Sequence, residues 1–321
     1  MKPLQLFILA CWVSLGMAAQ NGNYGDSMLI FRKHFNENNE EAVFNMFDSN
    51  MQTNVPLQAT KNFISQFREA YGIMERFEFQ ERKDRVESYL GHFVNGKLIM
   101  HTIIDTEGKI AAFQFESYDD GKPGRLERNL TNMQLPFKGE WFTFWGGETK
   151  AQNYHVAFKP QQGAFDFFIV DENYKSYQRS GTRNEDYYAF GKPLYAVCDA
   201  VVFKVTTGVE DNRPTQMNPA QAFGNSVTLR TDKDEYIVYA HFQKGSIKVK
   251  EGDLVKQGQY LGNCGNSGNS SEAHLHLHIQ DGPNNLGSTG ARCFFSELIV
   301  NGALKRDYSP VKGDKISMPK E

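Results

Sequence analysis

Positions 274 to 279 read His274-Leu275-His276-Leu277-His278-Ile279. On a β-strand successive side chains point to opposite faces, so this alternation sets three imidazoles on one face and the leucines and isoleucine on the other. Neutral imidazole is a common metal ligand, and neighbouring protonated rings repel one another, so a cation held between them removes the conflict. The plainer alternative is a polar outer face on an edge strand. Just upstream lies Gly262-Asn263-Cys264-Gly265-Asn266-Ser267-Gly268-Asn269-Ser270-Ser271. Its glycines suit tight turns where backbone passes close to a bound chain. No Lys follows in the register of a phosphate loop and no helix begins there, which argues against a nucleotide site. A fourth imidazole, His241, ends the strand-like run Tyr239-Ala240-His241. The cysteines, Cys11, Cys198, Cys264 and Cys293, form no CxxC pair. A metal must therefore find His and carboxylate ligands, although one disulfide is allowed in an oxidising compartment.

The elements that must position these residues fall into two groups. Beyond Asn132 and Pro136 come short apolar runs separated by Gly, Asn, Asp and Pro, including 141–145, 165–170, 194–205, 226–229, 236–242 and 274–279. Such spacing predicts a mainly antiparallel β domain over 140–303, with 304–321 as a tail. Before it, Phe31 and Phe35, Val43 and Phe47, then Phe63, Phe67 and Tyr71 recur at helical spacing. After Gly72 the period changes to alternation, with Asn95-Gly96 marking a hairpin and Leu98, Met100, Thr102 and Ile104 on one face. Helices followed by a meander predict an α+β module over 24–118. The Asp, Gly and Pro of 119–124 give 119–139 the composition of a linker. In the module only His34, His92 and His101 could act, and they carry no ligand spacing.

At 321 residues, two domains are the first expectation, and 40% apolar with 23% charged residues excludes a disordered or coiled-coil chain. A net charge of -3 gives no electrostatic footprint for nucleic acid. Residues 1–19 read as a signal peptide: Lys2, a nearly uncharged run from Leu4, and small residues ending at Ala18-Ala19. A lipoprotein variant at Ile8-Leu9-Ala10-Cys11 is the alternative. No later segment approaches the ~20 apolar residues of a membrane span, so the expected location is exported, periplasmic or envelope-associated.

Tyr239-Ala240-His241, Val249-Lys250-Glu251-Gly252-Asp253, Gly258-Gln259, Gly265-Asn266-Ser267-Gly268 and His274-Leu275-His276 together strongly resemble the lysostaphin/LytM-type zinc metallopeptidases. The resemblance spans roughly Trp141 to Ile299. It implies a compact antiparallel β fold with zinc in an open groove, His276 as a ligand, and His274 and His241 as catalytic residues. The family's remaining ligands are an upstream His and Asp, usually as His-x-x-x-Asp before a Gly turn and a strand. Gly191-Lys192-Pro193-Leu194-Tyr195-Ala196 looks like that turn and strand, and Asp186 stands near the usual position, but Thr182 occupies the His position. Asn153-Tyr154-His155 and Phe165-Asp166-Phe167 supply a His and an Asp, similar to a variant subgroup with a long insertion after the Asp. His155 and Asp166 are therefore the preferred ligands over Asp186 or a metal-free domain.

Three protein ligands leave a fourth position for water, the arrangement of a catalytic zinc site. No His-Glu-x-x-His helix is present, so a glutamate base of the thermolysin kind is not supported. His278 has no assigned role in this scheme: a supporting or groove contact and an inert position are both open. The module at 24–118 resembles the cone-shaped nuclear-transport-factor-like domains that precede peptidases in some envelope proteins, through its element order and Phe47, Pro56, Phe63 and Gly72. That implies a binding or positioning role. The resemblance as a whole implies an exported zinc endopeptidase acting on peptides of bacterial peptidoglycan. The alternatives are a non-catalytic wall-binding scaffold or amidase activator of the same fold, and a metal-storage or metal-sensing protein.

Overall fold

Apolar residues recur every three or four positions up to Gly72 and alternate after it, and the backbone follows that change. The computed structural model describes residues 8–9, 24–118, 121, 124–218, 221–284 and 287–320. The chain divides into two units, Leu4–Asp120 and Gly121–Glu321. Of the signal peptide expected at 1–19, only β1 (Ile8–Leu9) is described, paired antiparallel with Gln114 and Phe113; the rest, with Cys11, lies outside the described residues.

In the first unit, helices α1 (Tyr24–Asn36), α2 (Glu40–Asn45), α3 (Ser49–Asn54) and α4 (Leu57–Tyr71) precede β2 (Met74–Lys83), β3 (Val86–Phe93), β4 (Gly96–Ile104) and β5 (Ile110–Ser117). Asn39 and Asp48 start α2 and α3 by accepting from the amides of Ala42 and Met51 at 3.0 and 2.7 Å, which satisfies N–H groups with no intrahelical partner. At the end of α4, Gly72 takes φ +72°, a conformation that favours glycine and turns the chain into β2. The strands form an antiparallel sheet in the order β1-β5-β4-β3-β2. Leu98, Met100, Thr102 and Ile104 are all buried on one face of β4, as alternation predicts. Phenylalanines from helices and sheet interlock there, Phe31 with Phe113 and Phe67 with Phe115 at ring-centroid distances of 4.7 and 4.5 Å.

The second unit contains β6 (Trp141–Trp145), β7 (Phe165–Phe168), β8 (Pro193–Tyr195), β9 (Ala200–Thr206), β10 (Asn225–Arg230), β11 (Tyr236–Phe242), β12 (Leu254–Val255), β13 (Tyr260–Asn263), β14 (Leu275–Gln280), β15 (Gly290–Ala291), β16 (Phe295–Val300), β17 (Ala303–Tyr308) and β18 (Lys315–Ser317). The main sheet runs β12-β9-β10-β11-β14-β7-β6-β18-β16-β17, with β15 also on β14, while β8 and β13 form a separate ribbon. The histidine strand β14 is central. It pairs antiparallel with β11 and β7, with His276 opposite Ala240 on one side and Asp166 on the other. An outer face on an edge strand is thereby excluded. Leu275, Leu277 and Ile279 are fully buried in a core shared with Phe165, Phe167 and Tyr239.

Two boundaries differ from the expectation. The linker placed at 119–139 contributes Leu126, Met133, Leu135 and Phe137 to the core of the second unit, and Phe137 stacks on Trp141 at 4.5 Å. Met133, Leu135 and Phe137 alternate, but the run is short, broken by Pro136 and preceded by the Gly, Asp and Pro that give the stretch its linker composition. The tail placed at 304–321 holds most of β17 and all of β18, and β18 pairs with both β16 and β6. Ala303 to Asp307 are exposed, so this strand carries none of the alternation by which strands are recognised.

The glycine-rich loop also differs in its partner. A Cβ on Gly265 would lie 2.2 Å from the Gln243 amide nitrogen, and one on Gly268, at φ +81°, 2.3 Å from that of Gly224. These glycines let the loop press against the chain's own backbone beside β10 and β11, not against a bound chain.

Candidate metal centre

Asp166 reaches the histidine face because β7 pairs with β14 in a register that sets it directly opposite His276. Its Oδ1 lies 2.9 Å from His276 Nδ1 and 3.6 Å from His274 Nε2, and its Oδ2 lies 3.6 Å from His155 Nε2. His155 arrives from a 3-10 turn, Tyr154–Ala157. Donor atoms of His155, Asp166 and His276 all lie within 4.8 Å of one another, and all three residues are buried. Among the described residues, this is the group of three possible ligands whose donors converge.

Each ring is oriented from behind. Asn153 donates from Nδ2 to the carbonyls of Gly147 and Ala164 at 3.2 and 2.9 Å, which turns its Oδ1 toward His155 Nδ1 at 2.8 Å. His155 Nδ1 therefore carries the proton, and Nε2 presents a lone pair toward Asp166. His274 donates from Nδ1 to the Glu272 carbonyl at 2.8 Å, and Phe168 stacks on its ring at 5.0 Å with planes 2° apart.

His241 arrives by a backbone irregularity. Ala240 shares the face of His276, so regular alternation would send His241 into the core. A bulge between Asn225 and Val227 and a left-handed φ of +66° at His241 turn the ring back. Its centroid lies 4.8 Å from that of His274, and its Nδ1 donates to the Ser267 carbonyl at 2.8 Å.

Charges follow the same geometry. Burial opposes ionisation of Asp166, but the surrounding His155 and His274 rings outweigh it and hold the carboxyl well below its ordinary range. Burial pushes His155 down to about 3, leaving a neutral ring. Burial and the neighbouring His274 and His276 hold His241 well below an ordinary imidazole, and burial does the same to His278. His274 moves the other way: burial disfavours its cation, but the Asp166 charge and hydrogen bond raise it overall.

Among the described residues, no Lys or Arg pairs with the buried Asp166 carboxylate. With no Lys or Arg beside it, the buried carboxylate depends on imidazoles alone, and a divalent cation held by two imidazoles and one carboxylate would complete its neutralisation. These donors fit zinc, with a fourth position open to water. Asp186 stands apart, with Ser180 Oγ at 3.2 Å and Arg179 at 3.8 Å, outside the converging group. Cys198, Cys264 and Cys293 are free and buried, so among the described residues the disulfide the sequence allows is not formed. Burial pushes the Cys198 thiol to about 12 and raises the other two, which removes thiolate ligands from consideration.

Residues 184–287 match the sequence profile of Peptidase family M23. This stretch is an M23 peptidase domain. His155 and Asp166 lie upstream of the matched residues, whereas His241, His274 and His276 lie within them. Over 180 residues the chain is 26% identical to Endolysin 2638A of Staphylococcus phage 2638A, covering 49% of this chain and 36% of that relative. It thus spans about a third of the endolysin's length. Among solved structures, the catalytic domain of the antimicrobial peptidase lysostaphin from Staphylococcus simulans is similar at 18% identity and a TM-score of 0.29, covering 48% of this chain and 88% of that one. The catalytic domain of the prophage-encoded M23 protein EnpA from Enterococcus faecalis gives 17% identity and a TM-score of 0.34, covering 50% and 94%. A zinc-containing peptidase from Vibrio cholerae gives 15% identity and a TM-score of 0.30, covering 74% and 93%.

The second unit also holds residues to which the sequence assigns no role. Asn153 stands in the Asn-Tyr-His run, yet only its hydrogen bonds reveal it as the residue that orients His155. Ser267 acts through its carbonyl, which no side-chain pattern signals. Phe168 extends an aromatic wall, with Phe144 at 4.9 Å, from His274 to the surface, where Phe144 is exposed.

Proposed function

We propose that the chain is an exported, zinc-dependent metalloendopeptidase that hydrolyses peptide bonds in bacterial peptidoglycan. The observation that carries this reading is the convergence of His155 Nε2, His276 Nδ1 and the Asp166 carboxylate, with His241 and His274 beside them but each turned by its own carbonyl partner. When bound there, zinc supplies a Lewis acid for the scissile carbonyl and a water whose pKa falls toward ~7. The chain's own residues supply the rest. His155, Asp166 and His276 hold the ion, His155 through the bare Nε2 of a neutral ring and Asp166 as a carboxylate. His241, neutral and donating from Nδ1, has Nε2 free to accept a proton from water. His274, which holds its proton more firmly, is suited to stabilise the oxyanion and hand a proton to the leaving amine. The aromatic wall beside His274 offers an apolar surface to the substrate chain.

A wall substrate is supported by the M23 match and by the names of the similar proteins, an endolysin and an antimicrobial peptidase. Export is supported by the character of residues 1–19, and no helix among the described residues is long and apolar enough to cross a membrane. The N-terminal unit is read as a binding or positioning module. Against the non-catalytic scaffold stands the full set of donors together with both auxiliary imidazoles. Mass spectrometry of muropeptides tests the proposal. Purified protein with zinc releases cross-linked or stem fragments and stops with chelator, whereas wall binding without any released fragment supports the scaffold.

A further inference from the structure

Beyond the ligands, the face of β14 continues as His278 and Gln280, both fully buried and unused by the chemistry above. His276 Nε2 lies 2.9 Å from His278 Nδ1, and His278 Nε2 lies 3.1 Å from Gln280 Oε1. Gln280 in turn donates from Nε2 to the Gly282 carbonyl at 2.8 Å. That last contact decides the whole row, because a carbonyl only accepts and so must face the amide nitrogen. Gln280 Oε1 then points at His278 and requires a proton on His278 Nε2. The lone pair of His278 falls on Nδ1 and requires a proton on His276 Nε2. In the neutral ring His276 is left with a bare Nδ1, the atom that faces Asp166 at 2.9 Å. Two lone pairs at that distance repel unless a proton or a metal cation lies between them, and either leaves the proton on Nε2 in place.

We propose that the i, i+2, i+4 row His276-His278-Gln280, anchored on the Gly282 carbonyl, is a tautomer lock, in which His278 and Gln280 are positioning residues that keep His276 Nδ1 free for the metal. The period of two that displays the imidazoles also lines up their hydrogen bonds, so one strand encodes both ligand and lock. The inference rests on the zinc-peptidase reading. It adds that the affinity of His276 for the ion is set two and four residues further along the strand.

The zinc dissociation constant of the full chain, measured by competition with a chromophoric chelator, tests it. His278→Leu and Gln280→Leu each weaken zinc binding by about 10- to 100-fold, the usual effect of removing an outer partner of a metal-bound imidazole. They lower kcat at sub-saturating zinc without moving KM, and added zinc restores it. His278→Gln, whose amide oxygen can still accept from His276, recovers most of the loss. Unchanged affinity in folded His278→Leu and Gln280→Leu overturns the lock. Nitrogen-15 spectra of the imidazoles in the metal-free parent give a second readout that needs no variant to fold. Protons on Nε2 of both His276 and His278 support the lock, and a proton on His276 Nδ1 in the neutral ring overturns it. If the parent takes up no zinc, the peptidase reading falls, while the same spectra still decide the lock.

Discussion

On β4 of the first unit, His101 sits between Ser88 Oγ, 2.8 Å from Nδ1, and Glu116, 3.1 Å from Nε2. On β14 of the second, His276 sits between Asp166 and His278, each 2.9 Å away. Both rings bridge polar partners with a carboxylate on one side, and side-chain inventory alone would rank them alike. They differ in depth and in company. The His101 side chain is 22% exposed and its Glu116 is 52% exposed, so water shares the charge. His276 and Asp166 are 4% and 7% exposed, and two further imidazoles turn toward the same carboxylate. A buried carboxylate ringed by three imidazoles with no Lys or Arg to match it, rather than a histidine with an acidic neighbour, therefore marks the candidate metal site.

Removing the unmatched charge erases the distinction between the two histidines most severely. Asp166→Asn and His276→Ala abolish zinc retention, measured by elemental analysis after gel filtration, and take hydrolysis to background. Next come the two imidazoles that touch the site without holding the ion. His241→Ala and His274→Ala retain zinc but lose ~10²- to 10⁴-fold in turnover, the usual contribution of general acid-base assistance. If His274→Ala sheds zinc as readily as His276→Ala, the division between holding and proton transfer is wrong.

Acid separates the two regions further. Burial holds His155, His241 and His278 below the ordinary imidazole value in the folded state, so between pH ~6.5 and about 3 the unfolded chain binds protons that the folded chain refuses. Stability of the metal-free protein therefore falls as pH drops through that window. Asp166, depressed when folded, adds a loss below its unfolded value near 3.9. His274, raised when folded, acts in the opposite sense and loses its contribution only as pH rises through its folded value. Urea titrations across this range report the net slope, and a flat profile contradicts the buried, neutral assignments. The smallest effect belongs to the first unit. His101→Ala changes stability by ~0–1 kcal/mol, as for an exposed ion pair, and leaves zinc content and hydrolysis unchanged.

How far this contrast is legible in the sequence depends on the residue. The alternation at 274–279 is visible because β14 is regular, and its apolar side enters the core as the pattern requires. Asp166 can be named only through the resemblance, since its place depends on the register of β7 against β14, a pairing across about 110 residues that no local period encodes. His241 is named by its motif, yet the bulge and left-handed backbone that deliver it have no signal in Tyr-Ala-His. The core role of 126–137 stays hidden because the short alternation of Met133, Leu135 and Phe137 is broken by Pro136 and set among Gly, Pro and charges, and β17 because its exposed residues carry no period. Gln280 is equally silent, since its part depends on which way an amide faces one carbonyl.

X-ray absorption at the zinc edge on the purified full chain bears on the assignment of His155, Asp166 and His276 with the fewest intermediate steps. The expected result is one zinc per chain with only light neighbours, two imidazole nitrogens and carboxylate and water oxygens at about 2.0–2.2 Å, and a spectrum that Asp166→Asn abolishes. A shell containing sulfur near ~2.3 Å, or one that survives Asp166→Asn unchanged, contradicts it.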